Sequence, residues 1–144
     1  MSRKKKEKKI ISPDSLYDNV VIAKFINQVM RRGKKDIIKT KTQKEPLEVF
    51  DLALKNVKPL LEVKSKRIGG ATYQVPKPVP IERGMALAMR WILNVVRAKK
   101  GKSTKIKLAE ELINAANNIG SAVKKKEDTH RMAEANRAFA HFAW

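Results

Sequence analysis

Residues 83–98 read RGMALAMRWILNVVRA, the stretch of this chain with the clearest helical period. Its apolar residues recur at steps of three and four, and they are Met85, Ala88, Met89, Ile92, Val95 and Val96. Such spacing places them on one wide face of a helix, which other elements must cover. Lys99-Lys100-Gly101 follows, with the cations and the glycine that are typical of a helix C-terminus. The sequence therefore predicts a helix over 83–98 with a broad buried face.

Two further helices are predicted before this segment. The first follows Pro13-Asp14-Ser15, has an apolar stripe from Leu16 to Met30, and stops at Arg31-Arg32-Gly33. The second begins at Pro46 and ends before Pro59. Its apolar residues at helical spacing are Leu47, Phe50, Leu54 and Val57, with Val49 and Ala53 beside them. The polar segment 34–45 between these helices holds at most a short helix around 36–39.

Two more helices are predicted after residue 98. Ser103 or Thr104 caps the first, and Gly120 ends it. The apolar stripe of that helix is Ile106, Ala109, Leu112, Ile113 and Ala116. The last helix begins at Ser121, and its predicted inward residues are Val123, Met132, Ala135, Phe139 and Phe142. Glu127 and Arg131 lie one turn apart on it and can form an ion pair.

Residues 61–76 predict a β-hairpin instead of a helix. Residues 62–68 are extended and highly charged, Gly69-Gly70 forms the turn, and residues 71–75 return. Pro76, Pro78 and Pro80 should stop the second strand. This hairpin has little to bury because cations crowd its first strand, and a lone hairpin is only marginally stable in water. We expect an arm that projects from the body and is steadied by a partner.

The predicted fold is mainly α: a bundle of five to six helices with one protruding basic β-hairpin. Residues 1–12 are expected to form a disordered basic arm, since their charges repel one another and nothing in them packs. Residues 13–144 are then one helical domain, with the hairpin inserted at about 61–76. The hydrophobic content of 42% supports a folded body.

Charge is the strongest functional signal. The chain has 33 Lys and Arg against 14 Asp and Glu, a net charge of +19 on 144 residues, whereas a small domain needs only ~2–8 for solubility. Such a density repels itself in a compact fold and is relieved by a polyanion. Phosphates bound by Lys and Arg release counterions, which drives nucleic-acid binding. A merely well-solvated basic surface is the alternative.

Other function classes lack their sequence signals. The chain has no Cys, which excludes disulfides, thiolate metal sites and a cysteine nucleophile. It also has no apolar run near the ~18 residues of a membrane span. Gly101-Lys102-Ser103 resembles the end of a phosphate-binding loop, but the glycine required five residues earlier is Val96. His130 and His141 alone make a poor metal site, and the acidic pairs Glu110-Glu111 and Glu127-Asp128 are expected on solvated helix faces. We therefore expect no enzyme activity, cofactor, metal, membrane or small-molecule substrate.

Three groups of residues are candidates for nucleic-acid contact. Arg83, Arg90 and Arg97 fall at steps of seven, so their guanidinium groups share one helix edge about 10 Å apart in rise, a geometry that suits phosphates. The hairpin contributes cations and Tyr73, which can stack on a base. Lys124-Lys125-Lys126 fits RNA contact or plain solubility about equally.

Three stretches resemble one family closely. They are residues 63–76 (VKSKRIGGATYQVP), residues 86–92 (ALAMRWI) and residues 125–142 (KKEDTHRMAEANRAFAHF). Together with the rest of the chain they resemble the bacterial-type protein number seven of the small ribosomal subunit. The resemblance implies a helical domain with a protruding hairpin that binds the 3′ major domain of small-subunit rRNA directly and nucleates assembly of the head.

The resemblance also implies partners and a location. The partners are rRNA, exit-site tRNA and mRNA nearby, and neighbouring head and platform ribosomal proteins. The location is the small-subunit head, in the bacterial cytoplasm or in an organelle. The candidate RNA-binding residues are Arg3, Lys4, Lys5, Lys6, Lys8, Lys9, Lys34, Lys35, Lys64, Lys66, Arg67, Tyr73, Arg83, Arg90, Arg97, Lys99, Lys100, Arg131 and Arg137.

One departure from the family and one rival function remain. The family usually has a full helix before the Pro-Leu-Glu-Val-Phe segment, but here only twelve residues separate Gly33 from Pro46. Either the front of that helix is lost or a stretch is absent from the sequence. The rival is a DNA-bending architectural protein with a basic β-arm, although such arms usually have an apolar wedge at the tip, where this chain has Gly69-Gly70.

Overall fold

The elements follow one another as the sequence predicts. The computed structural model describes residues 11, 13, 20–29 and 46–143. Its helices are α1 (Val20–Val29), α2 (Pro46–Val57), α3 (Ile81–Ala98), α4 (Thr104–Ala116) and α5 (Ser121–Ala135), followed by a C-terminal 3-10 helix (Arg137–Phe142). The strands are β1 (Leu61–Ile68) and β2 (Ala71–Pro78). The predicted fold class, mainly helical with one β-hairpin, is confirmed.

Several predictions fall outside the described residues. These are the basic arm before Ile11, the helix start at Asp14-Ser15, the stop at Arg31-Arg32-Gly33 and the short helix at 36–39. Within the described ranges, no helix is long and apolar enough to cross a membrane.

The core lies around α3. Its residues Ala88, Ile92 and Val96 are fully buried, as their spacing predicts, and helices α1, α2, α4 and α5 pack around this helix. From α1 and α2, Phe25 and Phe50 meet edge to face with ring centroids 5.0 Å apart. Each such large apolar side chain contributes roughly 1.5–3 kcal/mol when buried. This core fixes the positions of the charged side chains on the outer edges of α3.

The hairpin is longer and better packed than predicted. Gly69 and Gly70 have φ values of +56° and +86°, which a type I′ turn requires. From this turn the antiparallel register runs to the pair Leu61–Pro78, so β2 continues through Pro76 and the prediction that Pro76 stops it is wrong. A two-stranded sheet has only edge strands, and an edge tolerates proline because its N–H groups can point away from the partner. The expectation of little burial is also wrong, since Val75 and Pro76 are buried.

The C-terminal helices depart from their predicted stripes. Helix α4 ends at Ala116, four residues before Gly120, and buries Leu108, Glu111 and Ala115. Ile106 and Ile113 of the predicted stripe are exposed because the face of α4 toward α2 and α3 is rotated away from them.

The last helix also differs from its prediction. Helix α5 ends at Ala135, and the chain tightens into the 3-10 helix, where one continuous helix was predicted. Val123 is buried as predicted, but Met132 is 54% exposed and Ala135 is exposed. The buried face of α5 instead comprises Ala122, Val123 and Ala133. Alanine contributes little to a hydrophobic pattern, so the sequence prediction assigned the larger apolar residues to the buried face of α5.

Candidate nucleic-acid interface

The outer edge of α3 carries two of the three predicted arginines into an open groove. Arg90 and Arg97 are exposed and line this groove together with Asn94. Lys24 of α1 faces them from the other wall. The groove has a volume of about 720 Å³. Arg90 makes no ion pair or hydrogen bond with the part of the chain that the structure describes, so its guanidinium is available to a ligand.

The third arginine of the series has a different environment. Arg83 Nε donates to Glu62 Oε1 at 2.9 Å, and Arg83 Nη2 donates to Glu62 Oε2 at 2.9 Å. The Arg83 hydrogen bonds hold the pKa of the buried Glu62 carboxyl below its usual value, and Glu62 in turn raises the pKa of Arg83. Lys64 lies 3.6 Å from the same carboxylate. Arg83 therefore ties the base of the hairpin to α3 instead of lying unpaired beside Arg90.

One face of the hairpin packs on the C-terminal segment. The Tyr73 ring lies 5.2 Å from Phe139 and 5.1 Å from Phe142, centroid to centroid. Directly across the ladder from Tyr73, Lys66 Nζ donates to the backbone oxygen of Phe142 at 2.8 Å. The chain itself therefore steadies the hairpin, and the expectation of an arm that needs a partner for support is wrong. Tyr73 is already engaged with two rings, which leaves it poorly placed to stack on a base.

The opposite face of the hairpin is open near the turn. Alternation along β1 places Arg67 on the face away from Lys66. Ser65 and Gln74 form a cross-strand hydrogen bond of 2.9 Å on this same face. Arg67 is exposed and makes no ion pair within the described ranges. Of the three predicted hairpin cations, Arg67 thus points outward, whereas Lys64 and Lys66 contact the protein.

The two lysines that follow α3 have different surroundings: Lys99 is paired with a carboxylate, and Lys100 is exposed. Lys99 Nζ donates to Glu111 Oε2 at 2.9 Å, and the other Glu111 oxygen accepts the backbone N–H of Ala122 at 3.0 Å. Glu111 is 1% exposed, so the prediction that it lies on a solvated face is wrong. It is buried because it satisfies both Lys99 and the N-terminus of α5, which begins after Gly120. Lys100 is exposed beside this pair.

Helix α5 and the 3-10 helix carry the remaining predicted contacts. Arg131 pairs with Asp128 at 3.6 Å and not with Glu127, so that predicted pair is wrong; an i,i+3 step brings the two groups together. Arg137 lies 3.4 Å from Glu134. Both arginine side chains are 79% exposed, so solvent screens these pairs.

His130 makes a structural hydrogen bond. His130 Nε2 accepts the backbone N–H of Leu60 at 2.9 Å, which joins α5 to the start of the hairpin. Burial, and secondly the charge of Lys126, lower the pKa of His130, so the neutral acceptor form is favoured. The described residues contain no group of three side chains suited to a metal ion. Sequence spacing gives no signal for the Leu60 partner of His130, because the two residues are 70 positions apart.

Eight predicted contacts lie outside the described residues. They are Arg3, Lys4, Lys5, Lys6, Lys8, Lys9, Lys34 and Lys35. Their roles remain predictions from the sequence.

Comparison with known proteins decides the family. The model of the family "Ribosomal protein S7p/S5e" matches residues 1–137. The chain belongs to this family. Relatives named small ribosomal subunit protein uS7 include those of Thermotoga maritima, 57% identical with all of both chains covered, and of Moorella thermoacetica, 55% identical over 95% of each chain. That of Fervidobacterium nodosum is 51% identical with full coverage of both.

Membership in the S7p/S5e family has direct consequences. The chain is a structural, RNA-binding constituent of the small ribosomal subunit and not an enzyme, as the sequence predicted. Its partners include small-subunit rRNA and ribosomal proteins. Membership in this family also argues against the rival interpretation of a DNA-bending protein. The alignment with the Thermotoga maritima relative spans 155 positions, 11 more than the 144 residues here, so at least 11 positions have no counterpart in this chain. A deficit of that size fits the short segment 34–45.

Proposed function

We propose that this chain binds the 3′ major domain of small-subunit rRNA directly and nucleates assembly of the head. In the assembled particle it lies near exit-site tRNA and mRNA, beside head and platform proteins. Family membership and the resemblance of the three sequence stretches support this placement. The structure adds a set of outward cations that a rigid helical core holds in place.

The observation that carries the proposal is the exposed edge of α3. Arg90 and Arg97 lie two helical turns apart, about 10 Å in rise, with Lys24 across the groove. Because α3 is the most deeply packed helix, these cations are held in register before RNA arrives. Preorganised guanidinium forks suit phosphate oxygens, and binding then releases the counterions condensed on the RNA.

The hairpin supplies a second cationic position. The Glu62–Arg83 pair, the His130–Leu60 hydrogen bond and the Tyr73 ring cluster hold the hairpin against α3, α5 and the 3-10 helix. Arg67 therefore projects from a fixed arm near the Gly69-Gly70 turn. A fixed arm binds with a smaller loss of conformational entropy than a mobile one.

Salt titration of RNA binding tests the proposal. Arg90→Ala should flatten the slope of log affinity against log salt by roughly 0.7–0.9, the contribution of one phosphate contact. Deletion of residues 1–9 should flatten it by several such steps, because six cations are removed. Lys55→Ala is the matched control, since this exposed cation of α2 lies outside every candidate set.

Two outcomes would count against the proposal. If Arg90→Ala and Lys55→Ala give the same slope, the α3 edge does not contact phosphate. If duplex DNA competes as well as the 3′ major domain of rRNA, the binding is nonspecific charge attraction and not recognition of folded RNA.

A further inference from the structure

The groove beside α3 has an apolar floor that phosphate binding does not require. Its lining residues on α3 form two parallel rows at helical spacing. The first row is Ile81, Met85, Met89, Leu93 and Arg97, and the second is Glu82, Ala86, Arg90 and Asn94. The 16 residue steps from Ile81 to Arg97 make the groove about 24 Å long at 1.5 Å per residue. An apolar row therefore runs beside a polar row for most of the length of α3.

The exposed part of the apolar row is reachable from solvent. Ile81 is 72% exposed and Met85 is half-buried, as is Val21 of α1 beside them, while Met89 and Leu93 are nearly covered. Methionine is polarisable and flexible, so it adapts to flat ligands of different shapes. The cations of the two rows, Arg90 and Arg97, lie at one end of the groove, and a purely electrostatic phosphate site would not need the apolar floor beyond them.

The charges along the groove are arranged unevenly. Glu82 lies at one end, whereas Arg90 and Arg97 lie toward the other, with Lys24 opposite. Phosphates are therefore favoured at the arginine end and disfavoured near Glu82. Asn94 lies between the two arginines, and its amide can donate and accept hydrogen bonds with the edge of a base.

We propose that this groove binds unpaired nucleotides of rRNA, with bases against Met85 and its neighbours and phosphates at Arg90 and Arg97. The inference rests on the proposed function and narrows it, since the proposed function requires only phosphate contacts at this groove. Paired RNA hides its base edges, so the groove selects single-stranded bulges or junction strands over helical RNA. The guanidinium plane of Arg90 also offers a stacking surface.

Affinity for two RNA probes tests this assignment. The probes are a single-stranded oligouridylate and a blunt RNA duplex of the same length, measured by fluorescence anisotropy at one salt concentration. Met85→Glu should weaken binding of the single strand roughly tenfold, the scale of one lost base contact. Its matched control, Ile113→Glu, makes the same change at a 53% exposed position outside the groove. The two variants should bind the duplex equally.

A second variant guards against loss of folding. Asn94→Asp changes an exposed side chain in the groove, and Asn117→Asp makes the same change at the end of α4. Only Asn94→Asp should weaken binding of the single strand. If each groove variant matches its control, or if duplex and single strand lose affinity together, the groove does not bind unpaired bases.

Photocrosslinking locates the contact in the full-length protein. Oligouridylate with 5-iodouridine reacts on irradiation with nearby sulfur and aromatic side chains, and trypsin releases residues 84–90 as one peptide with both methionines. A crosslink on that peptide supports the proposal, and crosslinks confined to other peptides overturn it. If wild type binds the 3′ major domain with a steep salt slope but shows no crosslink here, only the groove inference fails. If wild type does not bind that RNA, the proposed function itself fails.

Discussion

Replacing Glu111 with alanine should destabilise the fold by about 3 kcal/mol. The carboxylate is 1% exposed and accepts from Lys99 at 2.9 Å and from the Ala122 N–H at 3.0 Å. A hydrogen bond to a charged group contributes about 1.5–3 kcal/mol, and the lower end applies to Lys99 because its side chain is 33% exposed. Leaving the buried Ala122 N–H without an acceptor costs about 1–3 kcal/mol more. For a domain of this size the sum corresponds to a fall in Tm of roughly 10 °C.

The neighbouring glutamate provides the control. Glu110 is the same residue type on the same helix, but its side chain is 41% exposed and its partner Lys102 is more exposed still. Glu110→Ala should therefore change stability far less than Glu111→Ala, because solvent screens its exposed ion pair. Urea unfolding followed by far-UV circular dichroism measures both variants, with an unchanged m-value as the check on two-state behaviour. If the two variants fall within about 0.5 kcal/mol of each other, the argument that Glu111 links α3, α4 and α5 is refuted.

Two other predictions concern the attachment of the hairpin. Burial and Lys126 lower the pKa of folded His130 below the ordinary 6.5, so the unfolded chain binds a proton more readily and wild type should lose stability as the pH falls below that value. His130→Gln keeps an acceptor for Leu60 without titrating, so its Tm between about pH 7.5 and about pH 5 should fall less than that of wild type; parallel profiles would contradict this. Tyr73→Ala removes two ring contacts, so amide hydrogen exchange should speed up in β1 and β2 and stay unchanged in α3. Arg67→Ala, on the other hairpin face, should leave those rates unchanged, and equal effects of the two variants would show that the ring cluster does not hold the hairpin.

Local hydrophobic periodicity predicts most of the helices and the hairpin of this fold. The step of three and four along α3 predicts its buried face, and Gly69-Gly70 predicts the hairpin turn because glycine readily adopts the positive φ that both turn positions require. The same use of apolar spacing predicted the wrong buried face for α4. That face includes the charged Glu111 and leaves Ile113 in solvent. A hydrophobic pattern cannot identify a buried charge, since the partners that make burial tolerable come from other elements.

The candidate site shows the same division more sharply. Spacing predicts that Arg83 and Arg90 share an edge of α3, but not what faces each of them. Arg83 meets Glu62 because the hairpin folds back on α3, a contact between residues 21 positions apart. The Tyr73 ring cluster likewise depends on the 3-10 helix, whose tightening after Ala135 has no strong local signal. Tertiary contacts therefore decide which predicted contacts remain available to RNA.

These contacts rank the cations by how readily a phosphate can engage them. Arg67 and Arg90 have no acidic partner within the described ranges and should engage first. Arg131 and Arg137 have partners, but their side chains are 79% exposed, and such surface pairs are worth only about 0–1 kcal/mol, so a phosphate can replace the carboxylate at little cost. Arg83 holds a buried carboxylate with two hydrogen bonds, and removing it would leave that charge unpaired in the protein. Equal sequence signals thus correspond to unequal roles, and substitutions at Arg90 should reduce RNA affinity while substitutions at Arg83 should act first on the position of the hairpin.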